Sequence, residues 1–337
     1  MNEKAWLSIV LLGSGLLTGP IAHADTSEGS SDINLQVEND LFVGDGYDQH
    51  YTHGMRLSTL YDRESLPEFF TEFAEDLWLS GRARGEIGLG MSIFTPQDIT
   101  TTLLQTQDRP YAGWTYLSFG LFSVVDEASN RSPRLDTLAV DVGIVGPSSY
   151  AGEIQKWWHD EVISAPHPSG WQHQLNDEIA GVMYLSSVWR KPLTQNGNID
   201  FLPSVGLALG TVESFASAGG TLRIGTHLED DFGPPRIRPN RPGAGFITKP
   251  RDMLSGYLFA GVEGRLVGHN LFLDGNTFTD SHRVDKKYLV ADAQAGWMIS
   301  YGRLRFSYAQ MWRSKEYTTQ RTADSFGALS LTWNLPF

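Results

Sequence analysis

The closing segment, SFGALSLTWNLPF, alternates without interruption: Leu329, Leu331, Trp333, Leu335 and Phe337 fall on one side, with Ser330, Thr332 and Asn334 between them. Successive side chains of a strand point to opposite faces, so this segment offers one medium an apolar face and another a polar face. A helical period cannot sort these residues in that way. Weaker versions of the pattern recur at 33–38, 54–61, 86–93, 115–124, 137–145, 178–189, 201–212, 219–226, 255–267, 287–299 and 302–312. With the last strand the tally is twelve, an even number, as in single-chain bacterial barrels. Nothing after the amino-terminal segment approaches roughly 18 consecutive apolar residues, which excludes a helical membrane protein.

A terminal aromatic on an alternating last strand resembles the carboxy-terminal signature of bacterial outer-membrane barrels. The 35 Gly, 10 Trp, 12 Tyr and 17 Phe among 337 residues suit a barrel, where small residues serve at bends and aromatics at the interfaces. The expected fold is all-β: one antiparallel transmembrane β-barrel domain over 25–337, with about twelve strands, extracellular loops and short loop helices. Long connections are expected at 95–114, 146–177, 228–254 and 268–286. The stretch DDFGPPRIRPNRPGAGFITKP is too rich in Pro and Gly for a central strand and reads as an extracellular loop. Leu66, Phe69, Phe70, Phe73 and Leu77 fall roughly on one face, which predicts a short amphipathic helix near 64–80.

Residues 1–24 have the organisation of a secretory signal peptide: Lys4, an apolar stretch, then Ala22-His23-Ala24. The absence of cysteine excludes a disulfide framework and a thiol nucleophile. A formal charge of −13, with no basic stripe, argues against a nucleic-acid partner. Beside anionic lipids such a surface invites divalent cations as bridges.

Polar residues cluster at strand ends in three places. In VENDLFVGDGYDQHYTHG, Glu38, Asn39 and Asp40 end a strand, and Asp45, Asp48, His50, Tyr51, Thr52 and His53 follow. Carboxylate, amide and carbonyl oxygens are hard ligands that suit calcium, although an acidic turn capped by its own side chains has the same composition. In DRPYAGW, Arg109 suits a lipid phosphate and equally an ion pair with Asp108 or Asp98. The third cluster places Gln155, Trp158 and His159 within about one helical turn, with His167 and His173 downstream as competing candidates for a general base. No Gly-x-Ser-x-Gly elbow, His-Glu-x-x-His motif or phosphate-binding loop occurs.

At these residues the sequence resembles the outer-membrane lipid A 3'-O-deacylases, the LpxR-type proteins. The resemblance rests on Asn39-Asp40, Asp48 with Tyr51-Thr52-x-Gly54, the turn Phe94–Pro96 and DRPYAGW at 108–114. It continues through DVGIVGP at 141–147, Gln155 with His159, and GWQHQLNDE at 170–178. It implies a twelve-stranded barrel in the outer membrane, with a calcium-dependent site between the wall and the loops, facing the outer leaflet. The reaction implied is hydrolysis of the 3'-linked acyloxyacyl ester of lipid A in lipopolysaccharide. The family's histidine base falls on His159, its Asn-Asp pair on Asn39 and on Asp40 as metal ligand, and its site hydroxyl on Thr52. Arg109 and Gln155 are the expected substrate contacts, outer-membrane lipids the surroundings and a monomer the favoured state. One departure is plain: the basic pair that enteric branches carry after the turn read here as TPQDITTT has no counterpart between Arg84 and Arg109. That leaves the exact lipid A variant open. The alternatives are a phospholipase A-like esterase, which needs a serine nucleophile, and a structural or passive-pore barrel, which needs none of these clusters.

Overall fold

The structure is a computed structural model that describes residues 30–43, 49–62, 82–125, 132–237 and 251–336. The signal peptide and the amphipathic helix expected near 64–80 lie outside these residues. Twelve long antiparallel strands form the wall: β1 (Ser30–Asn39), β2 (His50–Asp62), β3 (Arg82–Thr95), β4 (Ala112–Val125), β5 (Arg134–Val145), β6 (Glu178–Trp189), β8 (Ile199–Gly210), β9 (Glu213–Gly225), β10 (Arg251–Asn270), β11 (Leu289–Gly302), β12 (Leu304–Arg313) and β13 (Asp324–Pro336). A two-residue strand, β7 (Lys191–Pro192), pairs with the start of β8. Each strand pairs with its sequence neighbours, β6 with β8 directly, and β1 with β13, so the sheet closes on itself. Closure leaves no unpaired edge in the wall.

The alternation decides which side is which. On β13, Leu331 and Trp333 are 42% and 50% exposed, while Thr332 is 0% exposed. Outward rows such as Leu35, Leu57, Leu89 and Leu117 continue the apolar band, and inward rows such as Asp32, Asn34, Gln36 and Glu38 are buried and polar. Polar inside and apolar outside is the arrangement that a hydrocarbon surround requires. The described strands run beyond the expected bounds at most ends, because their polar rim residues break the alternation before the ladder stops.

The lumen is filled along its length. Near the end that holds the chain termini, Leu60, Phe122, Leu135 and Leu202 form an apolar layer. Ion pairs stand at the level of this layer, Arg84 with Asp32 and Arg223 with Asp200 at 2.5 Å, and further along the lumen, Arg56 with Glu86 at 2.5 Å. At the opposite rim, Phe272 of the short helix α2 (Leu271–Asp274) stacks on Phe94 at 4.1 Å between ring centres and leans on Trp114.

One expectation is corrected. The connection after β9 does not join the loops that carry the third polar cluster. β9 is the eighth wall-crossing strand, and an even-numbered crossing returns to the end from which β1 started. From that end, Asp231–Ile237 enters the barrel, with Asp231, Phe232, Arg236 and Ile237 all buried. Proline and glycine content announces a loop but does not say on which side it lies; counting the crossings does.

Candidate active site

Alternation along β1 turns Glu38 into the lumen and Asn39 outward. Asn39 pairs in register with His53 of β2, and its amide Nδ2 donates to His53 Nδ1 at 3.1 Å. Asp40 opens a 3-10 turn, Asp40–Val43, and its Oδ2 accepts the Gln49 N–H at 2.8 Å, closing the loop between the strands. The β2–β3 ladder steps from Tyr51↔Phe94 to His53↔Ile93, so Thr52 is an extra residue in a β-bulge. The bulge sends Tyr51 to the lumen and His53 to the outer face. Thr52 and Thr95 share a hydroxyl–hydroxyl bond of 2.8 Å, buried at the rim.

The helical segment that follows β5 lies on the outside of this wall. It comprises α1 (Ala151–Trp157), which continues into a π-helical turn over Trp158–Ile163. Ala151 packs with Ile93, Ile99, Tyr111 and Trp171. Gly113 permits the approach, since a Cβ there would fall on Ala151 and the Ser149 hydroxyl. The Thr115 hydroxyl also donates to the Ser149 carbonyl at 2.8 Å. Ile93 under the helix is the cross-strand partner of His53, so Asn39, His53, Ile93 and Ala151 form one continuous strip across the outer rim.

Gln155 and His159 stand one turn apart on the buried side of this segment, and Ile154 and Trp157 are exposed. Gln155 Oε1 accepts the Trp171 indole N–H at 2.8 Å, tying the helix to the loop that follows it. His159, 2% exposed, has its Nδ1 at 2.6 Å from the Pro166 carbonyl. A carbonyl only accepts, so Nδ1 carries the proton and Nε2 is the basic nitrogen. Helical π-turns recur at functional sites, where the extra residue re-aims a side chain. The competing histidines are placed differently. His167 is exposed and meets Asp160 at 3.0 Å, and His173 is held by the Thr102 carbonyl at 3.0 Å.

Arg109 is not on this strip. It is buried under the rim, with its guanidinium 3.4 Å from Glu316 and 4.6 Å from the Phe94 ring centre. Its backbone N–H, and not its side chain, meets Asp108. Burial alone would raise the Glu316 carboxyl, but the Arg313 and Arg109 guanidiniums hold it below the usual range. Beside this pair lies a cluster that the sequence does not group: His50, at a left-handed φ of 59°, bonds Asp324 and approaches Asp108, which also accepts the Tyr317 hydroxyl. His53, Thr95, Pro166 and Trp171 are likewise site neighbours that the sequence reading did not assign. Of these, His53, Thr95 and Trp171 stand inside motifs singled out for other residues.

The described donors near Asp40 are hard oxygens of the kind calcium prefers. Among the described residues, no group of three or more His, Asp or Glu side chains stands close enough to hold a metal. The described residues thus offer Asp40 and the Asn39 amide as donors and do not by themselves form a complete cage.

The family model described as "Outer membrane protein LpxR" matches residues 7–335. The chain belongs to the LpxR family. The solved LpxR from Salmonella typhimurium superposes with a TM-score of 0.70 at 21% identity, covering 90% of this chain and 99% of that one, so the two share the LpxR fold. The translocator domain of the autotransporter NalP from Neisseria meningitidis is similar at a TM-score of 0.43 and 10% identity, covering 97% of this chain and 94% of that one. The β domain of the Bordetella autotransporter BrkA also gives 0.43 and 10%, covering 93% and 100%. No curated protein sequence matches this LpxR-family chain.

Proposed function

We propose that this outer-membrane barrel is a calcium-dependent lipid A 3'-O-deacylase, a carboxylic ester hydrolase whose site faces the outer leaflet. The observation that carries the reading is His159: a buried imidazole with its tautomer fixed, on a helix clamped to the lipid-facing wall. A base placed there meets an ester presented from the membrane, and a lumen filled with side chains argues against a pore.

In this reading His159 Nε2 takes a proton from water, and the resulting hydroxide attacks the ester carbonyl carbon. The tetrahedral intermediate collapses by breaking the bond to the sugar oxygen, which receives the proton back from His159, and the fatty acid departs. A calcium ion held by the Asp40 carboxylate and the Asn39 amide oxygen would supply positive charge against the developing oxyanion. The His53–Asn39 bond supports this orientation, because it commits the amide nitrogen to His53 and turns Oδ1 away from it. Thr52, anchored by Thr95, hydrogen-bonds the substrate or the attacking water. Gln155, whose Oε1 accepts the Trp171 indole N–H and so fixes the helix, stays a proposed contact for the substrate. Arg109, with Nη1 at 3.4 Å from Glu316, stays the proposed contact for a lipid phosphate.

The test is mass spectrometry of lipid A incubated with the refolded protein, in calcium and in chelator. Loss of the 3' acyloxyacyl group only in calcium supports the assignment. Unchanged lipid A alongside hydrolysed glycerophospholipid would replace it with a phospholipase.

A further inference from the structure

The segment Asp231–Ile237 climbs the lumen from the terminal end and finishes beneath the candidate site. Its foot is fixed by charge: Asp231 bonds Arg223, meets Arg305 at 2.9 Å and accepts the Tyr257 hydroxyl at 3.2 Å. Phe232 completes the apolar layer with Leu60, Phe122 and Leu202. Higher up, Arg236 lies 3.6 Å from Asp292. Ile237 then donates its backbone N–H to Glu38 Oε1 at 3.0 Å. Six residue steps reach at most about 20 Å.

Glu38 is the meeting point. Its other oxygen, Oε2, accepts the Tyr51 hydroxyl at 2.8 Å. Tyr51 reaches it across Gly54, the register partner of Glu38; a Cβ on Gly54 would coincide with the Tyr51 hydroxyl and touch Ile237. One carboxylate therefore joins the end of β1, the start of β2 and the tip of the lumenal segment. Glu38 immediately precedes Asn39 and Asp40, and Tyr51 immediately precedes Thr52.

We propose that the segment Asp231–Ile237 is a lumenal strut, and that Glu38 and Tyr51 are positioning residues through which Ile237 sets Asn39, Asp40 and Thr52. The catalytic part of this proposal rests on the deacylase reading; the mechanical part does not. The strut enters from the terminal end, so the outer-rim site is braced from the other side of the membrane.

Two measurements on the full-length protein in detergent micelles test it. The first is amide hydrogen exchange at Ile237 and at residues 49–52. Glu38→Ala should speed exchange at both by about tenfold or more, and Tyr51→Phe should do so at 49–52, while the strands away from β1 and β2 keep their protection. The second is steady-state deacylation. Glu38→Ala should lower kcat by about 10–100-fold with little change in KM, as expected for misplaced groups. Glu38→Gln, which retains an acceptor for Ile237, should restore most of it. Should Glu38→Ala not fold, Ile237→Pro removes the donor of the upper bond with Glu38 left in place and should give the same kcat loss. Unchanged exchange at 49–52 in both Glu38→Ala and Ile237→Pro would overturn the strut. Altered exchange with wild-type kcat would overturn the positioning role. If the wild type itself releases no acyl chain, the deacylase reading fails and the exchange result still decides the strut.

Discussion

A histidine serves as a base when one nitrogen is held as donor and the other is kept basic, and at His159 a single short contact holds the donor. Nδ1 faces the Pro166 carbonyl at 2.6 Å, which no protonation state but N–H satisfies. Replacing His159 by Asn keeps a polar side chain of similar reach and removes the titratable nitrogen. Turnover should fall by about 10²–10⁴-fold, the usual contribution of a general base. The folded barrel should still resist unfolding in cold detergent gels, which separates lost chemistry from lost structure. Residual wild-type turnover in that variant would exclude His159 as the base. Spacing in the sequence cannot choose among His159, His167 and His173, because the distinction lies in what each ring faces after residues 164–177 fold back over α1. The resemblance to the family supplied the choice; in the structure His159 is buried and His167 exposed.

At the scale of elements, the site depends on a helix resting on a wall. Gly113→Val would place a branched side chain where Ala151 and the Ser149 hydroxyl sit, outside the barrel. Overpacking of this kind costs about 1–3 kcal/mol locally. Activity should drop sharply while the unfolding midpoint of the barrel in urea barely moves, because the wall ladder is untouched. The loop from Ser314 to Ala323 supplies a different test through Glu316. Its folded pKa lies below the ordinary value of 4.5, held down by Arg313 and Arg109 against burial. Its stabilising contribution is therefore complete above that value and is lost as the pH falls through the lowered one. The thermal midpoint should decline over that acid range, and Glu316→Gln should flatten that part of the decline. The twelve wall strands were legible because a strand between lipid and a polar lumen must alternate. Their rim ends were not: Asn39, His50 and Thr52 are polar on both faces, so the pattern stops before the ladder does. The strut was misplaced for a related reason, since its Pro and Gly residues carry no information on which side of the wall they emerge.

For the whole molecule, the interior resembles a salt lattice bounded by apolar layers. Asp292 alone faces Arg313 at 2.9 Å, Arg265 at 3.2 Å and Arg236 at 3.6 Å. Removing the charge with Asp292→Asn leaves three buried guanidiniums crowded together. The cost should be on the order of 3–5 kcal/mol, as for a buried pair that loses one partner. A lowered urea midpoint measures it, and a variant as stable as the wild type would mean that water reaches this layer.

The seam between β1 and β13 has a consequence in time. Asn39 lies on the first strand, and its neighbour on the side away from β2 is Gly327 of the last. Until the carboxy-terminal strand arrives, the first strand has only one flank, whatever else has assembled. The rim around Asn39 is therefore a product of completion: a chain still in transit, or one cut short before Asp324, holds the residues of the candidate site without their arrangement. On the deacylase reading, an enzyme built this way stays inert in the membranes it crosses on its way to its own.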